Sequence, residues 1–298
     1  MNKRLGGIGK ILAALLLVAF VLVPFSMTII ASVTPDVAIV SRPAAWFSHG
    51  FTLDNYRYIF TGDIPSQYQV VGEDGRSSSM ISEEIRQLPF AMWRSALVAL
   101  AVMVINIALG SAAAYAIARM SFPGKGMALN AIMASKLIPV VAIAIPYYAL
   151  MQQFALTDNL LSLVLIHSAL TLPITVLFLA ASIRRIDRTI DEAARLDGLN
   201  PVQILCRVIL PLARPSLVGA ALFAFMLSYS EFLFALLLAS NQSVRTLPVT
   251  LASVSVNPDV SLGLITAGVV VGIAPTLLLI VPIWKLMISG LVEGATKG

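Results

Sequence analysis

A short polar cluster interrupts an otherwise apolar run, and its residue types suit hydrogen bonding to a solute. Ser228, Tyr229, Ser230 and Glu231 lie together inside the stretch SLVGAALFAFMLSYSEFLFALLLAS. Hydroxyl and carboxylate groups pair with the donors and acceptors of a hydroxyl-rich molecule, and an aromatic ring can stack on a sugar ring. The alternative is that the cluster joins neighbouring helices by hydrogen bonds.

Other polar side chains also fall within apolar runs. Lys136 either lines a pathway or extends its ammonium to the inner membrane interface, and we favour the interface. We expect Asn106 and His167 to make hydrogen bonds between packed helices.

No pattern for a resident cofactor is present. Cys206 is the only cysteine, and the two histidines, His49 and His167, are far apart, so no metal site is indicated. The Gly-Lys steps at 9–10 and 124–125 lack the spacing of a phosphate-binding loop. We therefore expect no metal or nucleotide on this chain.

The composition indicates a membrane protein. The 298 residues are 58% hydrophobic and 12% charged, with a net charge of +5. Soluble domains average about 25% charged residues. A lipid solvent accounts for this excess of apolar residues better than a water-soluble core.

Six apolar runs are long enough to cross a bilayer, which takes about 20 residues each. Runs that are apolar on every face favour helices over strands. We prefer an uncleaved first span to a signal peptide because its apolar run is too long for a signal sequence. The predicted spans are 11–33, 92–118, 128–152, 160–183, 216–240 and 263–288.

Lys and Arg predict the orientation of these spans. Basic residues are concentrated before span one, after span two, after span four and in the tail, whereas the alternate short loops have few. Cytoplasmic loops are enriched in Lys and Arg. We therefore expect both termini in the cytoplasm.

The long loop at 34–91 is predicted to lie on the outer side. Its segment HGFTLDNYRYIF has apolar residues at helical spacing, which indicates an amphipathic helix at the membrane face or on a partner. The segment VVGEDGRSSS has the composition of a mobile loop.

A compact polar segment, TIDEAARLDGLNPVQILCRVILPLARP, separates spans four and five. Thr189 and Glu192 have the spacing of a capping box, and Gly198 suits the left-handed position that ends a helix. Asn200 then caps a second helix, with Gln203 completing a second box. We expect two short helices joined by a sharp corner.

This segment resembles the EAA loop of ATP-binding-cassette (ABC) importer permeases. Glu192, Ala193 and Ala194 are followed after three residues by Gly198, and nine further residues precede Val-x-Leu-Pro. ARMSFPGKG, EFLFALLL and the tail GLVEGATKG are similar to carbohydrate permeases of the maltose-system inner-subunit (MalG-like) type. Val208 and Arg94 depart from that pattern, where Ile and Asn are usual.

The resemblance implies the fold: an all-α polytopic protein of the bacterial inner membrane with six transmembrane helices, the type I ABC importer permease fold, and cytoplasmic termini. Residues 1–33 would hold the N-terminus and first span, 34–91 the external loop, and 92–298 the five-helix core. The core would include the coupling loop 184–215 and the cytoplasmic tail 289–298.

The resemblance also implies the partners and the site. A MalF-like second permease, two copies of a MalK-like ABC ATPase and an extracytoplasmic sugar-binding protein would complete the transporter. ATP and Mg would bind the ATPase subunits, and this chain would have no catalytic residue. The residues that would couple to the ATPase are Glu192, Ala193, Ala194, Asp197, Gly198, Leu210 and Pro211.

The substrate is expected to be a neutral sugar or polyol. No span carries the cluster of Arg and Lys that an anion would favour, and Lys136 is expected too near the cytoplasm. A glycerol-linked compound is an alternative solute. A stand-alone secondary transporter is an alternative class, but the repeated halves typical of that class are not evident.

Overall fold

A computed structural model describes residues 2–41, 46, 50–65, 68–71, 77–79, 83–257 and 260–295. The described chain is helical apart from one small hairpin. Its helices are α1 (Asn2–Ser32), α2 (Asp36–Val40), α3 (Asp54–Thr61), α4 (Leu88–Arg119), α5 (Lys125–Ala134), α6 (Val140–Gln153), α7 (Leu160–Arg184), α8 (Arg188–Leu196), α9 (Pro201–Ile204), α10 (Leu210–Leu212), α11 (Arg214–Tyr229), α12 (Leu233–Leu238), α13 (Leu247–Ser255) and α14 (Leu262–Ala295).

Four helical stretches among the described residues are long and apolar enough to cross a membrane. A fifth is obtained if the bent pair Pro201–Leu212 and Arg214–Tyr229 is one span. The four are Lys10–Ser32, Glu84–Arg119, Leu160–Arg184 and Leu262–Ile280. Predicted spans one, two, four and six thus correspond to long helices, while the count of six spans and the cytoplasmic termini stay predictions.

Span three is not the continuous helix that the sequence predicted. Helix α5 ends at Ala134, and α6 begins at Val140 after Pro139, whose backbone is extended (ψ 126°). Proline lacks an N–H and suits the start of a helix better than its interior. The interruption at 135–139 therefore divides this span into a ten-residue and a fourteen-residue helix.

Span five is also interrupted. Helix α11 ends at Tyr229, and α12 begins at Leu233. The Glu231 carboxylate accepts hydrogen bonds from the backbone N–H groups of Phe234 and Ala235, at 3.0 and 3.2 Å. These N–H groups have no partner within α12 because they lie in its first turn, so an acidic side chain in that place starts a new helix.

The chain divides into two compact units, Met1–Phe90 with Thr250–Ala274, and Ala91–Val249 with Pro275–Gly298. In the first unit the amphipathic helix is confirmed as α3, which buries Asn55, Tyr58 and Ile59. The flanks of the predicted mobile loop, β1 (Gln69–Val71) and β2 (Ser77–Ser79), pair as an antiparallel hairpin. Residues 72–76 between them lie outside the described residues.

Hydrogen bonds anchor the start of α14 within the first unit. The Gly263 N–H donates to the Asp36 carboxylate at 3.0 Å, and Ser261 donates to the Tyr68 hydroxyl at 3.0 Å. A Cβ on Gly263 would lie 2.8 Å from the Asp36 carboxylate oxygen, so a side chain cannot fit there without displacement. Burial raises the pKa of the Tyr68 hydroxyl, which keeps it neutral as a donor and acceptor.

Two apolar clusters lie among the described residues of the second unit. One joins α4 and α7 to the segment between α8 and α11, with Ile183, Ile204 and Ile209 fully buried. The other joins α4, α6, α7 and α12 around Leu163 and Phe234. Close approach of α4 and α7 depends on Gly110, where a Cβ would lie 2.8 Å from the Thr175 methyl group.

Candidate functional site

Helix α8 carries the Glu-Ala-Ala sequence and is capped by Asp187. The Asp187 carboxylate accepts a hydrogen bond from the Thr189 N–H at 2.9 Å. This bond lowers the pKa of the Asp187 carboxyl, because the charged form is the better acceptor. The predicted capping box of Thr189 and Glu192 is therefore wrong: the helix begins at Arg188, one residue before Thr189.

The corner after α8 has the predicted form. Gly198 has a φ of +82°, the left-handed region that glycine adopts without strain. Asn200 and Gln203 form the reciprocal capping box, with their two hydrogen bonds at 2.9 and 3.0 Å. Pro201 occupies the first position of α9. The second cap is confirmed.

Beyond this corner the chain turns sharply towards α11. One π-helical turn, Leu205–Ile209, connects α9 to α10. The helical segment Pro201–Leu212 and helix α11 meet at an angle of 88°. Leu210 is half-buried at this elbow, and Pro211 is exposed. We call the segment from Asp187 to Arg214 the elbow segment.

The predicted coupling residues in α8 and directly after it differ in their exposure. Glu192, Ala193, Asp197 and Gly198 are exposed, whereas Ala194 is buried in the first apolar cluster. The sequence analysis did not single out Leu196, whose surface is 90% exposed.

A buried ion pair fixes α8 to the end of α4, and it was also missed. Arg119 Nε lies 3.1 Å from Asp191 Oδ2, and both side chains are buried. Arg119 Nη2 donates a hydrogen bond to the Ile186 carbonyl at 2.6 Å, and the Tyr115 hydroxyl donates one to Asp191 at 3.3 Å. Asp191 thus holds the inner face of α8 while its neighbour Glu192 is exposed.

The polar residues around the interruption in span five gather on His167 of α7. His167 Nδ1 lies 2.8 Å from the Ser228 hydroxyl, and His167 Nε2 lies 3.1 Å from a Glu231 oxygen. The histidine is buried and Glu231 nearly so. His167 therefore bridges the end of α11 to the residue that starts α12, which places two predicted pathway residues in one hydrogen-bonded group.

The other two residues of the cluster, Tyr229 and Ser230, make further contacts. The Tyr229 ring is buried and stacks on Phe225, with ring centroids 5.5 Å apart. The Ser230 hydroxyl is exposed and donates to the Met226 carbonyl at 2.8 Å. In this conformation Tyr229 packs within the protein and does not present its ring to a solute.

Two further polar residues of the predicted spans, Asn106 and Lys136, each donate a hydrogen bond to α7. Asn106 donates from its amide to the Thr171 hydroxyl, the interhelical hydrogen bond that was expected. Lys136 donates from its ammonium to the Leu170 carbonyl on α7. The expected extension of Lys136 to the inner interface is wrong, because its ammonium bonds to the middle of a neighbouring helix.

Comparisons with known proteins agree with this helical architecture. Residues 106–288 match the family described as the binding-protein-dependent transport system inner membrane component. The chain belongs to this family of ABC transporter permeases, and it is a multi-pass protein of the inner membrane.

Named relatives extend the similarity over most of the chain. It is 30% identical to the sulfoquinovosyl glycerol transport system permease protein SmoH of Agrobacterium fabrum, covering 97% of this chain and 93% of that one. It is 31% identical to the trehalose transport system permease protein SugB of Mycobacterium tuberculosis, covering 83% and 82%. A bacterial ABC transporter involved in alginate import has the same fold, with a TM-score of 0.76, 17% identity and coverage of 96% and 97%.

Proposed function

We propose that this chain is the membrane permease subunit of an ATP-driven importer that takes up a sugar delivered by a substrate-binding protein. The observation that carries the proposal is the elbow segment: a rigid, doubly capped helix pair held by a buried ion pair, with its other face exposed. Relatives named as sugar permeases support the substrate class.

The exposed face of α8 is suited to docking on an ATPase. Glu192 offers a charge to a basic partner, Ala193 lets another backbone approach, and Leu196 offers an apolar contact. On the opposite face, Asp191 ties α8 to α4. A push on the exposed face would therefore act on the membrane helices through Asp191 and the elbow.

The proposed assembly has a second, MalF-like permease, two MalK-like ATPase subunits and the binding protein. ATP and Mg bind the ATPase subunits, and this chain needs no cofactor and performs no catalysis. The exposed apolar side chains of α6, such as Val141 and Ile145 (71% and 76% exposed), leave surface for a partner helix or lipid.

The translocated solute is a sugar in this proposal, and a glycerol-linked sugar is a specific alternative. SmoH is named for sulfoquinovosyl glycerol, whereas SugB is named for trehalose. Ser228 and Glu231 are the proposed pathway residues, held in place by His167.

The first test is whether the permease copurifies with an ATPase and whether the reconstituted complex imports sugars. Vesicles that contain the complete complex are assayed for uptake of a panel of disaccharides, polyols and glycosyl glycerols. ATP-dependent uptake of a panel member supports the proposal. Uptake by the permease alone, driven by an ion gradient, would instead identify a stand-alone secondary transporter.

The second test separates coupling from folding. Glu192→Lys reverses the charge on the exposed face of α8 without touching the buried Asp191. The variant should reach the membrane in normal amounts but lose most sugar-stimulated ATP hydrolysis and uptake. Arg188→Glu, an equally exposed charge reversal at the first residue of α8, is the matched control. Normal uptake by Glu192→Lys would contradict the docking role.

A further inference from the structure

Lys136 lies in the interruption between α5 and α6 and donates from its ammonium to the carbonyl of Leu170. The position of Leu170 along α7 shows how far the Lys136 ammonium lies from the ends of that helix. Leu170 is ten residues from the start of α7 at Leu160 and fourteen from its end at Arg184. At 1.5 Å per residue the contact is about 15 Å from one end of the helix and about 21 Å from the other.

Because α7 is long and apolar enough to cross a membrane, this contact places the ammonium near the middle of that span. A hydrocarbon core is about 30 Å thick, and a long side chain reaches an interface only from near the end of a span. A charge at the centre of a bilayer costs several kcal/mol if it faces lipid. Lys136 must accordingly face protein or water.

No counter-charge is present for Lys136 among the described residues. None of the ion pairs found there includes it. Glu231 lies against His167, one turn before Leu170 on α7, but its carboxylate is already engaged by His167 and by two N–H groups of α12. The ammonium has three donors, and Leu170 takes one of them.

The surroundings of Lys136 suit a water-filled space. Residues 135–139 are non-helical and exposed. Non-helical backbone at membrane depth is tolerated only where protein covers it or where it lines a water-filled cavity. An uncompensated cation on such a segment favours the cavity, because water and mobile anions can solvate it there.

We infer that Lys136 is a specificity-determining residue on the translocation pathway, where its ammonium binds an anionic oxygen group of the transported sugar. A carboxylate, a sulfonate or a phosphate each supplies that group. The inference rests on the proposed function and revises the expected neutral substrate, because that expectation placed Lys136 near the cytoplasm. The free donors of Lys136 would form charge-assisted hydrogen bonds with the anion.

The test uses the complete complex in vesicles and pairs of sugars that differ by one charge. Glucosyl glycerol is compared with sulfoquinovosyl glycerol, and a neutral disaccharide with its uronic acid counterpart. The variants are Lys136→Gln, which keeps a donor to Leu170 without the charge, and Lys136→Arg, which keeps the charge. Lys125→Gln is the matched control, because Lys125 is exposed and also donates to a backbone carbonyl, that of Met120 at 2.9 Å.

The native complex should import the anionic member of a pair in preference to the neutral one. Lys136→Gln should lower kcat/KM for the anionic sugar by about tenfold or more, since a hydrogen bond between charged groups is lost. Uptake of any neutral sugar should be unchanged, Lys136→Arg should retain most of the anionic uptake, and Lys125→Gln should behave as the native chain.

Three results would overturn the inference. Uptake of neutral sugars alone, unaffected by Lys136→Gln, would reject the anion site and leave the proposed function intact. Equal loss of neutral and anionic uptake, or failure of Lys136→Gln to assemble, would show that Lys136 neutralises a carboxylate of the partner permease. Uptake of no sugar at all by the native complex would reject the proposed function as well.

Discussion

Arg119 and Asp191 form a buried ion pair between the end of α4 and the helix that carries the Glu-Ala-Ala sequence, with Nε and Oδ2 3.1 Å apart. The pair joins a transmembrane helix directly to the elbow segment, beside the hydrogen bond from the Tyr115 hydroxyl to Asp191. Rotation of α8 is therefore opposed by a buried contact between opposite charges.

Removing one partner of this pair should be more damaging than removing both. Asp191→Asn leaves the Arg119 guanidinium buried without a counter-charge, and we expect the free energy of unfolding to fall by about 3 kcal/mol. The double variant Arg119→Met/Asp191→Leu should recover most of that loss. Thermal unfolding of the detergent-solubilised permease measures both effects.

The exposed pair of Arg57 and Asp63 is the control for that experiment. Its side chains are 67% and 58% exposed, with an N–O distance of 3.0 Å. Arg57→Met should change the free energy of unfolding by less than about 1 kcal/mol. If Asp191→Asn had an equally small effect, the burial of the Arg119–Asp191 pair would have no energetic importance.

Gly198→Val should disturb the corner through its backbone alone. Nothing lies within 4 Å of a Cβ at Gly198, but its φ of +82° is strained for a β-branched residue by about 1–2 kcal/mol. We expect normal membrane insertion and reduced uptake, with Gly198→Asn less affected. Gly126→Val is the control, because Gly126 also has open space around it and no positive φ. Equal effects at both positions would rule out the backbone explanation.

Asp187 should stabilise the start of α8 in a pH-dependent way. A carboxyl whose pKa is lowered in the folded protein stabilises that fold at a pH above its unfolded pKa, and this contribution is lost as the pH falls through the lowered value. Asp187→Ala should speed hydrogen exchange of the Thr189 amide at neutral pH but make little difference in strong acid. Thr189→Ala should have the smaller effect, and the reverse order would restore Thr189 as the cap.

Variants of the His167 group test whether it lines the pathway. Glu231→Gln keeps an acceptor for the start of α12 but removes the charge opposite His167, and we expect uptake to fall about tenfold. ATPase subunits should remain bound. Tyr229→Phe is the comparison, since it keeps the stacking on Phe225 that Tyr229→Ala would remove. Unchanged uptake in Glu231→Gln would assign the group to helix packing and place the solute site on the partner permease.

The predicted orientation is tested by reporter fusions. A reporter that works only in the cytoplasm should be active after Gly298 and within 184–215, and inactive within 66–79, because basic residues are concentrated in the first two regions. An active fusion at 66–79 would mean that span one or the Lys/Arg distribution has been misinterpreted.

The sequence correctly predicted those features of the elbow segment that depend only on neighbouring residues. The cap at Asn200 and Gln203 and the left-handed Gly198 follow from residues within a few positions of one another. The first cap of α8 was misplaced because Asp187 and Thr189 both suit a helix start, and only the exit of the chain from α7 decides between them. Local spacing cannot supply that information.

Contacts between residues that are distant in the sequence could not be predicted from local spacing. His167 and Glu231 are 64 residues apart, and Arg119 and Asp191 are separated by a whole pair of spans. The interruption in span five was hidden because the polar residues 228–231 lie within a long apolar run and contain neither proline nor glycine. The depth of Lys136 was misjudged because a continuous helix was assumed where the chain is interrupted.

The bend at the start of α11 also determines how far the other end of that helix moves when the helix rotates. Helix α11 has sixteen residues and is about 24 Å long, with the bend at one end and the Ser228–Glu231 region at the other. A rotation of about 5° at the bend would displace the far end by about 2 Å, the sine of that angle times the length. The His167–Glu231 contact is 3.1 Å long, so this small rotation would exceed the reach of a hydrogen bond. In the proposed coupling, the elbow segment would be the short arm of a lever. The long arm, α11, would end at the two hydrogen bonds of His167, one to Ser228 and one to Glu231.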